Sequence, residues 1–385
     1  MPEQEIPERC LRNIEVDGEA GARLGKTFLG IPRVEAGEKA SAMRGMKTAL
    51  IGAGGRGLGH ARALNASPAI DFLVVCDLDL ERSMGVAEEY GVEAYTSVED
   101  VLEMSDLESV VIVTQSKDHA ELSIRSLEAG KNVLCEKPIA DSIEAAHRMV
   151  EAARSSGRSA VIGYQRRFEP AFWTLKRITG ELDPIQITLT GQRGIFLEKY
   201  LHPGSAYGIM DAACHQVDLV NWLMGRSPRA VCGSVRTGVF TPTRAIDTAS
   251  IHVEYGGGDE SLAAAVMVSM GGTGMSNFCH ILGRNGNAEM EDRERIKMTR
   301  VHFDPGAGVE RERQVTSTEM VDCEVLSGGD STLALMSAFA GHVRGEDTKI
   351  ATFDDGFKAL LVLEATLLSS QRGARVNLDE LVPGR

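Results

Sequence analysis

The stretch KTALIGAGGRG, residues 47–57, decides the fold. An apolar run ends in glycines, and the residues after them, GLGHARALNAS, read as a helix. Gly52, Gly54 and Gly57 fit the spacing GxGxxG between strand and helix. Glycines there permit a tight turn and let the backbone approach a pyrophosphate seated on the helix N-terminus. The same spacing also fits a glycine turn with no ligand. The next apolar run, DFLVVCD, puts Asp77 20 residues after Gly57, where a carboxylate takes the ribose hydroxyls of a dinucleotide. The plain alternative for Asp77 is a helix cap. Asp77 would repel a 2′-phosphate and Leu78 beside it offers no cation, so NAD is expected over NADP. Arg56, inside the glycine loop, either reaches a phosphate or faces solvent.

From there the pattern repeats. LERSMGVAEEYG is a helix stopped by Gly91, SVVIVTQ a strand, and DHAELSIRSLEAG a helix stopped by Gly130. KNVLCE is a strand, SIEAAHRMVEAARSSG a helix and SAVIGYQ a strand. Strands alternating with helices of ten or more residues specify a parallel sheet covered on both faces. Beyond residue 166 the rhythm changes. Helices over 168–180 and 211–224 flank a strand near 184–193, and ASIHVEY, LAAAVMVSM and SNFCHILG fall in a β-rich tract from 229 to 316. Helices near 332–345 and 355–372 finish the chain. Runs of strands with no helices between them predict a mostly antiparallel sheet. The expected organisation is an extension over 1–45, a nucleotide-binding domain over 46–165, and a substrate-binding and oligomerisation domain over 166–385.

Composition narrows the class. The formal charge of −14 disfavours nonspecific binding to nucleic acid or an anionic membrane, and no apolar run is long enough to span a bilayer. Seven cysteines lie scattered, without CxxC pairs or zinc-ligand spacing, which points to a reducing, cytoplasmic setting and to no metal. Cys76, Cys135 and Cys232 sit in strand-like runs and read as small hydrophobes. Residues 1–45 carry mixed charge and several glycines but no secretory core. A disordered tail, an arm around a neighbouring subunit, and a true start at Met43 or Met46 all fit them.

Two clusters carry chemistry. In NVLCEKPIADS, residues 132–142, an apolar strand ends in Glu136, Lys137 and Pro138. Ligands of open α/β sheets bind beyond the carboxyl ends of the strands. A lysine there can bond a substrate hydroxyl or the nicotinamide ribose, and its charge favours alkoxide character. Glu136 would hold that ribose or orient Lys137, and Pro138 sets the turn, cis or trans. A surface turn with a Glu–Lys pair would look the same. In GIMDAACHQVDLVNWLMG, Asp211 and His215 are four apart and share a helix face, with Asp218 also near. A histidine beside a carboxylate has the parts of a general base, and equally of a satisfied histidine behind a capping aspartate.

These pieces resemble the glucose–fructose oxidoreductase, inositol dehydrogenase and rhizopine-catabolism family (Gfo/Idh/MocA). IGAGGRG, Asp77, HAELSIRSLEAGKNVLCEKPIADSIEAA, GYQRRFEP, DAACHQVDLVNWLMG and FDDGFKALLVLEATLLSSQRGARVNL stand in the family's order over most of residues 46–378. The resemblance implies an α/β Rossmann domain with a doubly wound parallel sheet, then an α+β domain with a large, mostly antiparallel open sheet. It implies a nicotinamide-dependent oxidation or reduction of a sugar, cyclitol or polyol. Carried over by position, Lys137 matches the catalytic lysine, and Asp211 and His215 match the DxxxH pair. His215 would be the acid/base, Asp211 its orienter and a substrate ligand, and Lys137 the electrostatic helper. One departure is Ala213, where many members have glycine.

Thr114, at the end of SVVIVTQ, and His119, early in the next helix, join Gly52, Gly54, Arg56, Gly57, Asp77, Glu136 and Lys137 in the expected cofactor set. His119 either approaches the cofactor or caps its helix. Tyr164 and Arg166 share a face if the strand SAVIGYQ persists, and are read as substrate contacts or as packing, while Arg167 points away. The loop from Gly194 to Met210, with Tyr200, His202 and Tyr207, is expected to shape specificity. The intact lysine, aspartate and histidine favour a dehydrogenase over three other readings. Those are a glycosidase that oxidises its sugar transiently, an NAD-binding sensor without activity, and an oxidoreductase that never releases its nucleotide. The resemblance also implies a homodimer or homotetramer paired through the open sheet.

Overall fold

The computed structural model describes residues 44–194, 207–239, 241, 243–256, 262–272, 276–290, 294–302 and 314–384. Residues 1–43 of the N-terminal extension and residues 195–206 of the loop before the second cluster, including Tyr200 and His202, lie outside them.

The first half runs β1 (Met46–Ile51), α1 (Gly55–Ala66), β2 (Ile70–Cys76), α2 (Leu80–Tyr90), β3 (Glu93–Tyr95), α3 (Val98–Leu102), β4 (Ser109–Ile112), α4 (Ser116–Glu128), β5 (Asn132–Cys135), α5 (Ile143–Ser156) and β6 (Ala160–Ile162). Its strands pair in parallel in the order β6-β5-β4-β1-β2-β3. Side chains alternate across this sheet. Leu50, Val75, Val111, Leu134 and Val161 face one layer, and Ile51, Val74, Val110, Ile112 and Val133 face the other. Burial on both faces is why these strands read as unbroken apolar runs. Asp79, not Asp77, caps α2, accepting from the backbone N–H groups of Glu81 and Arg82. Gly91 ends α2 at φ 70°, in the left-handed region that a side chain disfavours.

The second half runs α6 (Pro170–Leu182), β7 (Pro184–Gln192), α7 (Tyr207–Met224), β8 (Pro228–Arg236), β9 (Thr248–Tyr255), β10 (Leu262–Ser269), β11 (Ser276–Gly283), β12 (Gly286–Met290), β13 (Arg295–His302) and β14 (Gln314–Asp322). It closes with α8 (Ser331–Val343), β15 (Ala351–Thr352), α9 (Phe353–Arg372) and β16 (Val376–Asn377). The nine-stranded sheet is ordered β14-β13-β12-β11-β7-β10-β9-β8-β16 and is antiparallel except where β7 meets β10. Helices α6, α7 and α9 cover one face of it.

Three expectations change. The strand SAVIGYQ stops at Ile162, because Tyr164 N–H donates back to Ile162 O at 2.8 Å and a 3₁₀ turn takes over at Gln165. Tyr164 and Arg166 therefore do not share a strand face. Cys232 is exposed rather than buried. And α8 and β15 leave the second sheet, although α9 and β16 after them stay with it. Leu335 and Phe339 of α8 pack with Leu50 and Leu64, and β15 joins the edge of the first sheet antiparallel to β6.

Candidate active site

The order of the first sheet reverses direction between β1 and β4, which opens a crevice beyond the carboxyl ends of those strands. The glycine loop lies there. Gly52 has φ 102°, and a Cβ on it would stand 2.5 Å from Val113 O. A Cβ on Gly57 would stand 2.2 Å from Gly52 O, so glycine lets α1 close onto its own loop. Gly54 differs: nothing lies within 4 Å of where its Cβ would be. That open side faces a cavity of about 680 Å³, lined among others by Gly52, Gly54, Arg56, Asp77 and Thr114. Asp77 accepts Ala53 N–H at 2.7 Å and Asp79 N–H at 2.9 Å, so its carboxylate braces the loop from the end of β2. A bare glycine, a helix N-terminus and a carboxylate at the next strand end suit the diphosphate and ribose of a dinucleotide.

A second cavity of about 370 Å³ shares Arg56, Val113, Thr114 and Gln115 with the first. Its other walls include His119, Glu136, Lys137, Gln165, Arg193, Asp211 and His215. The two sequence clusters therefore meet, Lys137 from the end of β5 and Asp211 with His215 from α7. Lys137 Nζ donates to Asp211 Oδ1 at 2.6 Å. Burial works against the ammonium, and the neighbouring Cys214 thiol, pushed up to about 12 by burial, is neutral at working pH. Asp211 and Glu136 outweigh burial and hold Lys137 above its ordinary range. His215 is buried, with the Tyr164 ring edge-on at 5.8 Å. Burial first, then the charges of Lys137, Arg166, Arg193 and Arg56, push its pKa well below the usual value.

Glu136 is a structural knot. It is buried, and its Oε1 accepts from His60 Nε2 at 2.7 Å and Arg56 Nε at 3.0 Å, while Oε2 accepts Lys137 N–H at 2.9 Å. Burial alone would raise its pKa, but His60, Arg56 and Lys137 bring it down to about 2. Glu136 thus orients the Lys137 backbone, and Arg56, though its side chain is 48% exposed, is tied to it. His60 was not visible as a functional residue in the sequence. The signal available was a histidine on the buried face of the glycine-loop helix, beside Ala61 and Leu64.

His119 neither caps α4 nor stands free. Its Nδ1 lies 2.8 Å from Pro138 O and its Nε2 3.3 Å from Thr114 O, which ties the cis Lys137–Pro138 turn to the end of β4. Tyr164 and Arg166 do not line the cavity. Tyr164 backs His215, and Arg166 reaches Glu169 Oε1 at 3.1 Å and Asn277 Oδ1 at 2.9 Å. Asp218 is held by Arg167 through two bonds of 2.5 and 2.9 Å, so it belongs to that pair. Arg193 and Gln165, which the motifs did not single out, do reach the cavity.

Comparison with known proteins places both halves. Residues 46–164 match the model of the Gfo/Idh/MocA oxidoreductase family, NAD-binding Rossmann fold, and residues 202–378 match that family's C-terminal alpha/beta domain. An inositol 2-dehydrogenase of Rubrobacter xylanophilus is 27% identical over 87% of this chain and 93% of its own. Inositol 2-dehydrogenase 4 of Saccharopolyspora erythraea is 28% identical over 86% of this chain and 95% of its own. An Agrobacterium radiobacter oxidoreductase, solved with NAD+, L-tartaric acid and magnesium, superposes with a TM-score of 0.74 at 18% identity. That superposition takes in 88% of this chain and 99% of the other, and at such identity speaks for the fold. The cleft is thus built from both domains of one family, and the chain is a member of the Gfo/Idh/MocA oxidoreductases.

Proposed function

We propose that the protein is an NAD-dependent dehydrogenase acting on a hydroxyl- or keto-bearing carbon of a sugar, cyclitol or polyol. What carries the reading is the meeting of Lys137, Asp211 and His215 in a cavity that opens into the glycine cleft. NAD, when bound, supplies the acceptor or donor of the hydride. His215 exchanges the hydroxyl proton. Its Nδ1 is enclosed without a partner among the described residues, which leaves Nε2 for the substrate. Lys137 stays charged and stabilises the developing alkoxide. Asp211 holds the ammonium in place and, contrary to the expectation from the DxxxH spacing, does not bond the His215 Nδ1 that it was to orient. NAD is preferred to NADP because Asp77 would repel a 2′-phosphate and Arg56 is already engaged by Glu136.

The test is NADH appearance on a panel of inositols, sugars, sugar acids and aryl glycosides, with NAD and NADP in parallel. Lys137→Ala and His215→Ala should each lower kcat by about 10² to 10⁴. Glycoside cleavage without net NADH would replace the proposal with a hydrolase. NAD binding without turnover of any panel member would leave the dehydrogenase reading unsupported.

A further inference from the structure

Buried arginines around this site have acceptors. Arg167 is held by Asp218 through two bonds, and Arg166 by Glu169 and Asn277. Arg193, which is only partly buried, differs. It follows β7, and its backbone is pinned on both sides. Its N–H donates to Ser269 O at 2.9 Å, and its carbonyl accepts Gly272 N–H at 3.0 Å. Its side chain lines the catalytic cavity together with Gln165, Asp211 and His215. There its Nε is shut off from solvent and has no hydrogen-bond partner among the described residues.

Among the described residues the charges of the cavity do not balance. The described carboxylates are Asp211 and Glu136, and the described cations are Lys137, Arg56 and Arg193. Asp211 pairs with Lys137 at 2.6 Å, and Glu136 with Arg56 at 3.0 Å. Arg193 is left over. A guanidinium nitrogen removed from water without an acceptor loses hydration and gains nothing in return. The enclosed Nε is out of a ligand's reach, but the two terminal nitrogens of the same guanidinium are not enclosed, and that edge matches a carboxylate through two parallel bonds. Arg193 is not a wall of the glycine cleft, so the anion it awaits is not the diphosphate of the cofactor.

We infer that Arg193 is a carboxylate subsite and that the substrate is a sugar acid, of the uronate or aldonate class, rather than a neutral polyol. This rests on the hydride-transfer reading above and names its substrate. The carboxylate takes the Arg193 fork while the reacting hydroxyl lies between Lys137 and His215. Pairing also changes the chemistry. Arg193 is one of the cations that disfavour a proton on His215. A carboxylate beside it cancels that charge and makes His215 a stronger base in the substrate complex than in the free enzyme.

Matched pairs test the inference: glucuronate against glucose, galacturonate against galactose, and gluconate against glucitol. Each is measured for kcat/KM with NAD and, by calorimetry, for binding to the enzyme–NADH complex. The acid member of a pair should be preferred by on the order of a hundredfold in the wild type. Arg193→Gln should bring that ratio close to one, chiefly through KM, and Arg193→Lys should restore part of it. Acid binding should also weaken as salt rises, whereas neutral binding should not. Preference for the neutral members, or an acid preference that survives Arg193→Gln, overturns the subsite and leaves the dehydrogenase standing. If no pair turns over, the dehydrogenase is in question, and calorimetry still decides the subsite. Tighter acid binding that Arg193→Gln abolishes keeps it, and equal or absent binding removes it.

Discussion

The surroundings of His215, the proposed base, keep it uncharged. Burial and four nearby cations act in the same direction, so protonation requires a pH well below the ordinary histidine range. Substrate oxidation needs the neutral ring. The acid limb of kcat/KM, taken at saturating NAD, should therefore fall well below pH 6.5, with no loss of rate as pH drops through that value. Arg193→Gln removes one of the repelling charges and should move the limb upward. A limb at an ordinary histidine value in both proteins would remove His215 from the acid/base role. At this scale the sequence was legible to the extent that its two motifs do bring Lys137, Asp211 and His215 into one cavity. It was silent where a partner comes from far along the chain. His60 and Glu136 are 76 positions apart, and no local spacing announces their contact. Tyr164 and Arg166 were misplaced because one backbone bond turns the chain at Gly163, and period-2 reasoning does not see that turn.

Among elements, the glycine loop separates two uses of one residue type. Gly57 is glycine because backbone lies 2.2 Å from where its Cβ would be, and Gly54 because open cavity lies there instead. Gly57→Ala should lower the melting temperature and weaken NAD binding together. Gly54→Ala should leave the melting temperature of the free protein nearly unchanged, yet weaken NAD binding by tenfold or more, since the added methyl occupies space kept for the ligand. Thermal melts with and without NAD distinguish the two, and equal losses of free-protein stability would contradict the assignment. The long parallel strands and their helices were readable because burial on both faces leaves a continuous apolar signature. The two-residue strands β15 and β16 were not, since a pair of residues has no period. They exist because β6 and β8 offer open edges.

At the scale of the molecule, the nine-stranded sheet is helix-covered on one face, while its side chains Met267 and Met320 are each 54% exposed. Apolar groups on an uncovered sheet favour association. A homodimer or homotetramer is expected, and light scattering that returns 41.5 kDa, the mass of one chain, would refute it. Among the described residues no helix is long and apolar enough to cross a membrane. The general order of the domains was legible in the change from alternating helices and strands to strands alone. The return of α8 to the first sheet was not, because Leu335 and Leu50 meet across nearly the whole chain. That return has a mechanical consequence. The chain leaves the nucleotide half after β6 and rejoins it before β15, and these two strands are paired, Ile162 to Ala351 and Val161 to Thr352. After β15 the chain crosses once more, since α9 packs on β8 and β16 pairs with it. The halves are thus joined by three passages of one chain rather than by a single linker. Ile51 of the first sheet, Phe353 of α9 and Val231 of the second sheet lie in one buried core. Drawing the halves apart would wet that core, so the gap between Lys137 and α7 is kept by the same packing that keeps the fold.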